Sequence, residues 1–229
     1  DPNQLPPIGV GRPFADLVAH LDTTQHKDEE GNHLADALAR LNVVVRSASR
    51  EGGSDTLRLA SWYTREPQAV DADRVLSDLE AGKPFNDLQI RFWKTAEELH
   101  KQLGEAFKEH LGMESPNDVD GFNASLGFKQ NGFLEFSDPS GSEAWQILSP
   151  VRMQMHGVLE LNRWVQKRYR AKELHYATTA WDPSLGDEHI VNHDKVILTE
   201  NKERWCYDWS NRERQQVYVA NGEVGLAMK

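Results

Sequence analysis

Disulfide bonding is the first thing this sequence cannot support. Its 229 residues hold a single cysteine, Cys206. No internal bridge can form, and a lone thiol fits a reducing compartment, so the expected location is cytoplasmic. Long apolar runs are also missing. The longest, Asn42-Val43-Val44-Val45 and Lys195-Val196-Ile197-Leu198, are strand-sized and far short of the roughly 20 residues a membrane helix needs. No membrane partner is expected, and no secretory leader is read. Basic charge is scarce: 26 Lys and Arg stand against 36 Asp and Glu, for a net charge of -10. That argues against broad affinity for phosphate polymers but leaves room for a local basic groove. No Gly-x-x-x-x-Gly-Lys-Ser/Thr phosphate loop occurs. No Ser-His-Asp or Cys-His set stands out by spacing, and there are no repeats or low-complexity tracts.

What is present is an alternation of helical and strand patterns. Arg12 to Leu21 predicts a short helix with Phe14, Leu17, Val18 and Leu21 on one face. A helix from about His33 to Leu41 and a strand from Leu41 to Arg46 follow. Gly52-Gly53 breaks the chain, and Ser54 or Asp55 can cap a helix running to Tyr63. Asp71 to Glu80 is amphipathic. Leu88 to Trp93 alternates as a strand should. Thr95 with Glu98 forms a capping box for a helix carrying Leu99, Leu103, Phe107 and Leu111, closed by Gly112. Ser115 to Gly141 reads as loop with weak helical signal. Trp145 to Leu148 predicts a buried strand ending at Ser149-Pro150, and Gly157 to Tyr169 a helix with Leu161, Trp164 and Val165 inward. Beyond Lys172 the pattern turns to strands, at His189 to Thr199, Gln215 to Ala220 and Gly225 to Met228, with Asn221-Gly222 as a two-residue hairpin signal. The fold class expected is α/β, a mostly parallel sheet covered by helices on both faces, followed by a β-rich module.

Four stretches carry a resemblance. Asp1-Pro2-Asn3-Gln4-Leu5-Pro6-Pro7 resembles motif III of the superfamily 1 DNA helicases, Gly-Asp-x-x-Gln-Leu-Pro-Pro. Val43-Val44-Val45-Arg46-Ser47 resembles their motif IV. Trp145 to Arg152, with Gly157-Val158 and Leu161-Asn162, looks like the strand-Pro-loop-helix block of RecD-like helicases. Asp194-Lys195-Val196-Ile197, then Asn201, then Asn221-Gly222-Glu223-Val224-Gly225, is similar to the passage where those enzymes enter a small SH3-like β insertion. The chain is therefore identified as a fragment of a RecD-like superfamily 1 helicase. Residues 1–11 would end the first RecA-like domain, 12–185 would form the second, and 186–229 would begin the β-rich insertion, incomplete.

The resemblance implies roles. Gln4 would lie between the RecA-like domains and sense the γ-phosphate of ATP, since an amide both donates and accepts. Arg46 would reach ATP across the cleft with a permanently charged, forked guanidinium, with Arg50 as the competitor. Both are candidate catalytic and cofactor-binding residues. Ser149, Pro150, Arg152, Gly157 and Asn162 are candidate nucleic-acid contacts, with free backbone N–H groups near Gly157 as a phosphate seat. Arg163, Lys167 and Arg170 share a helix side, either as DNA contacts or as a plain solvated face. The implied cofactors are ATP and Mg2+; the implied partners are single-stranded DNA and the remaining helicase domains of the same chain. Movement would run 5′ to 3′. The phosphate loop, the magnesium-holding Asp-Glu pair and the arginine-finger motif would lie outside this fragment, which alone should be inactive. Alternatives are another superfamily 1 motor, UvrD-like or RNA-directed, and a non-enzymatic RecA-like binding module. His189 and His193, in a strand, would sit roughly 13 Å apart, so no zinc site is expected.

Overall fold

A computed structural model describes residues 11–23, 38–39, 53–63, 71–129, 132–134, 140–179, 183–208 and 211–228. The chain divides into two compact units, 1–90 and 91–229. Residues on both sides of the expected 185/186 boundary lie in the second. Among the described residues there are eight helices and two small antiparallel sheets, a mixed α/β composition. No parallel sheet is found among them. The expected helix near His33 to Leu41 and the strand Leu41 to Arg46 lie outside the described residues.

The first unit contains α1 (Pro13–Thr23), α2 (Asp55–Ser61) and α3 (Ala72–Glu80). Ser54 caps α2, its Oγ accepting from Leu57 N at 3.1 Å. That hydroxyl donates to Asp87 Oδ2 at 2.5 Å. The other Asp87 oxygen accepts from Asp55 N at 2.7 Å. A carboxylate thus sits at the positive end of the helix, where backbone donors lack partners. Trp62 Nε1 donates to Ala72 O at 3.1 Å, fastening α2 to α3, whose Ala72 and Val75 are buried.

The second unit contains α4 (Ala96–His110), α5 (Val119–Ala124), α6 (Ser140–Glu143), α7 (Val158–Tyr169) and α8 (Ala171–Thr178). Thr95 caps α4 as expected, accepting from Glu98 N, and Gly112 ends it at φ 70°. The core is largely aromatic. Phe107, Met113, Phe122, Leu126, Phe128 and Tyr169 are buried together, with Trp145, Trp164 and Leu226 packed against them. Phe122 stacks on Tyr169 at 4.0 Å and 4°. The polar tips are satisfied: Tyr169 OH donates to Pro116 O at 2.7 Å, and Trp145 Nε1 to Ser125 Oγ at 3.1 Å. The stretch read as loop, 115–141, therefore supplies Phe122, Leu126 and Phe128 to the core. A six-residue helix is too short to show its period.

Two expected strands are not strands. Leu88 to Trp93 runs without a ladder partner among the described residues. At Trp145 to Leu148 the Trp145 carbonyl accepts from the Lys195 ammonium rather than from a neighbouring strand, and Gln146, Ile147 and Leu148 face solvent.

The strands at the end form one ribbon. β1 (Lys195–Ile197) pairs with β4 (Val224–Leu226), and β2 (Lys202–Asp208) with β3 (Glu213–Val219), all antiparallel. Lys195 opposes Leu226 and Lys202 opposes Val219, seven steps along each side, so both ladders share one register. Between them residues 198–201 face 220–223. Asn221-Gly222 forms a turn, Glu223 N donating to Ala220 O at 3.3 Å, but it closes no hairpin, because the strands it joins, β3 and β4, do not pair with each other. Gly222, at φ 93°, donates to Leu198 O, and Asn221 N donates to Asn201 Oδ1 at 2.8 Å, across the ribbon. The hairpin closes instead between Asp208 and Glu213.

Candidate nucleic-acid interface

The loop from Ser149 to Gly157 is held by its own backbone. Ser149 Oγ donates to His156 O at 2.8 Å and accepts from Val151 N at 3.3 Å. Gly157 N, Val158 N and Leu159 N donate to Gln154 O, Val151 O and Arg152 O. The expected seat of free N–H groups near Gly157 is therefore corrected: three donors at the start of α7 already have carbonyl partners. Gly157 is needed for a different reason. A Cβ there would lie 2.6 Å from Arg152 O and 2.7 Å from Gln154 N, although its φ of -79° suits any residue. Closing the loop this tightly leaves no room for a side chain.

Closure turns the loop's side chains outward. Arg152 is exposed, and its ion pair among the described residues is a 3.5 Å contact to the exposed Glu188. Pro150 is exposed, and Leu148 and Met153 are 86% and 81% exposed. Asn162 presents its amide to solvent one turn into α7. Trp93 lies against the loop, its ring 5.4 Å from that of His156. Of the α7 cations, Lys167 is exposed and Arg163 is paired with Glu160 at 2.5 Å.

Arg170 does not belong to that face. It is 2% exposed. α7 ends at Tyr169, and Arg170 at φ -125° leaves the helical path and swings inward. Its guanidinium donates to His193 O at 2.8 and 3.1 Å, to Asn123 Oδ1 at 2.7 Å and to Tyr169 O at 2.9 Å, over the Phe122 ring. Asp194 lies 3.9 Å away and takes its own donors from Val191 N at 2.9 Å and Gln166 Nε2 at 2.7 Å. Burial pushes the Asp194 carboxyl up, opposed by its hydrogen bonds from Val191 and Gln166 and then by Arg170; burial pulls the Arg170 guanidinium down, opposed by the charges of Asp194 and Glu173. His193, against Phe128 and 3.8 Å from Glu173, is held below its ordinary value by burial first and then by Arg170. Burial also lowers the Lys195 ammonium, which sits over the Trp145 ring at 4.8 Å.

Gln4, Arg46 and Arg50 lie outside the described residues. Ser149, Pro150, Arg152, Gly157 and Asn162 are brought together on the loop and the first turns of α7. His189 and His193 occupy turns at φ 53° and 68°, not a strand. No group of three metal-ligating side chains occurs among the described residues. None of their helices is long and apolar enough to cross a membrane. Sequence reasoning put Arg170 on the outer helix side and Asp194 only in the fourth stretch; it did not find the cluster they form with the half-buried Gln166 and Asn123. Asp194-Lys195 was the available signal, since paired charges ahead of an apolar strand need partners. No protein-family model, curated protein or solved structure matches this chain.

Proposed function

We propose that the chain is part of a RecD-like superfamily 1 DNA helicase, in which ATP hydrolysis between two RecA-like domains drives movement on single-stranded DNA. The reading rests on the four stretches of resemblance. One observation supports it most. The third and fourth stretches, far apart in sequence, form a single piece of structure. Lys195 holds the Trp145 carbonyl across 50 residues, Gln166 holds Asp194 across 28, and Arg170 clamps the His193 carbonyl. The exposed loop is thereby anchored to the base of the β ribbon, as a surface that grips DNA under load needs. On this reading Gln4 and Arg46 act at ATP with Mg2+, and Arg152 with Asn162 contacts the DNA backbone.

The test is Mg2+-dependent ATP turnover, measured for this polypeptide and for one extended to include a phosphate-loop domain. The extended protein turns ATP over faster with single-stranded DNA, and this chain alone does not turn it over. Turnover by this chain alone contradicts the reading. The second reading, a binding module without turnover, is favoured by the antiparallel pairing of both described sheets.

A further inference from the structure

The outer part of the ribbon, β2 and β3, is exposed on both faces. Successive side chains alternate between faces, so the register puts Trp205, Tyr207 and Tyr218 on the same side. Trp205 is 70% exposed and Tyr218 61%. Rings of this size on an outer surface of a two-stranded ribbon have no core to fill, and apolar area left to water marks an interaction surface.

The charges identify the kind of partner. Lys202, Arg204, Arg212 and Arg214 are exposed and have no ion-pair partner among the described residues. Arg214 stands beside Tyr207 on the aromatic side, and Lys202 and Arg204 are on the reverse side, at the ribbon's edge. The carboxylates of the β2–β3 part are Glu203, Asp208 and Glu213. Glu203 accepts from Gln216 at 2.6 Å, and Asp208 from Asn211 at 2.9 Å. From Lys202 to Val219 four cations thus stand against three carboxylates, a net +1 in a chain of net charge -10. Exposed rings flanked by unpaired cations suit single-stranded nucleic acid: bases stack on the rings, and phosphates reach Arg214 beside them and the flexible cations at the edges. A duplex buries its base faces and offers nothing to stack.

We propose that the aromatic side of the β2–β3 ribbon is a second contact for single-stranded DNA, separate from the Ser149–Gly157 loop. The choice of ligand rests on the helicase reading; the surface itself does not. The experiment is the anisotropy of a fluorescent oligothymidylate titrated with the 229-residue protein. Four phosphate contacts give a slope of about -3 in log affinity against log salt, or about a 50-fold loss between about 50 and 200 mM. Trp205→Ala with Tyr218→Ala weakens binding by at least about 10-fold. Arg204→Gln with Arg214→Gln keeps the rings and lowers the slope by about 1.4. Duplex of the same length competes poorly. No binding by the unaltered protein, or binding indifferent to both double variants, overturns the proposal. A dimer in sedimentation that the ring variants dissolve also overturns it, because the face is then covered by a second copy. The two readings fail separately. Binding lost only in Arg152→Ala removes the ribbon and keeps the helicase. Ribbon-dependent binding in an extended protein without DNA-stimulated ATP turnover removes the helicase and keeps the ribbon.

Discussion

Replacing Arg170 by alanine probes the buried set that joins loop and ribbon. The guanidinium makes hydrogen bonds to His193 O, Asn123 Oδ1 and Tyr169 O while 2% exposed. Alanine leaves the carbonyl of His193 and the Asn123 amide oxygen without this donor and removes the Arg170 cation 3.9 Å from the Asp194 carboxylate. Each orphaned acceptor costs about 1–3 kcal/mol, and breaking a buried charge pair from one side about 3–5 kcal/mol in all. These costs overlap, so about 3–5 kcal/mol is the expected loss. Followed by tryptophan fluorescence in urea, with a slope near 2 kcal/mol/M, that is a midpoint shift of about 1.5–2.5 M. The pH dependence has a definite sign. Burial raises the Asp194 carboxyl above its ordinary 3.8, so the folded state holds that proton more tightly than the unfolded chain. Below the raised value Asp194 is neutral and no longer needs the cation. The cost of Arg170→Ala therefore shrinks as the pH falls into the carboxylate range. Asp194→Asn in the Arg170→Ala background should recover part of the loss at neutral pH, because Asn keeps the acceptor for Val191 N without the charge. A midpoint shift under about 0.5 M, or a cost that does not change with pH, refutes the reasoning.

Three further outcomes follow from other residues. Gly157→Ala drives a Cβ into the Arg152 carbonyl, so it should destabilise by about 1–3 kcal/mol in thermal unfolding, although the φ is ordinary. Arg152→Ala should change stability by less than about 0.5 kcal/mol, its Glu188 pair being exposed, while reducing the salt slope of oligothymidylate binding by about 0.7. His193 titrates below its ordinary 6.5, so its contribution to stability is full above that value and is lost as pH falls toward the folded value. His193→Asn, tolerated at φ 68°, should flatten that part of the stability profile, and His100, lowered likewise by burial, should account for a remaining fall.

Where a signal is local, the sequence showed it. α4 was readable from Thr95, Glu98, the Leu99-Leu103-Phe107-Leu111 stripe and Gly112, because cap, period and terminator agree within one helix. α7 was readable from Leu161, Trp164 and Val165. What was not readable depends on partners distant in sequence. Lys202 to Asp208 was passed over because neither of its faces is buried, which leaves no alternation to detect. Asn221-Gly222 has the composition of a hairpin, but the β1–β4 ladder continues the register of β2–β3 and turns it into a crossing point within the ribbon. Arg170 follows Arg163 and Lys167 at helical spacing, yet the helix ends one residue earlier, and that single departure sends it inward. At the loop, Ser149 and Gly157 were found by pattern. The Gly157, Val158 and Leu159 donors looked free because their carbonyl partners appear only once the loop folds back.

In the proposed helicase Gln4 couples nucleotide to DNA. The direct measurement is the affinity for single-stranded DNA of an extended protein carrying a phosphate-loop domain, with and without a non-hydrolysable ATP analogue, in wild type and Gln4→Ala. A coupling free energy of about 1–3 kcal/mol predicts a change of about 5- to 150-fold in the wild type, largely abolished by Gln4→Ala while ATP and DNA each still bind alone. A wild type whose DNA affinity ignores the nucleotide contradicts the account and leaves a static binding module in its place.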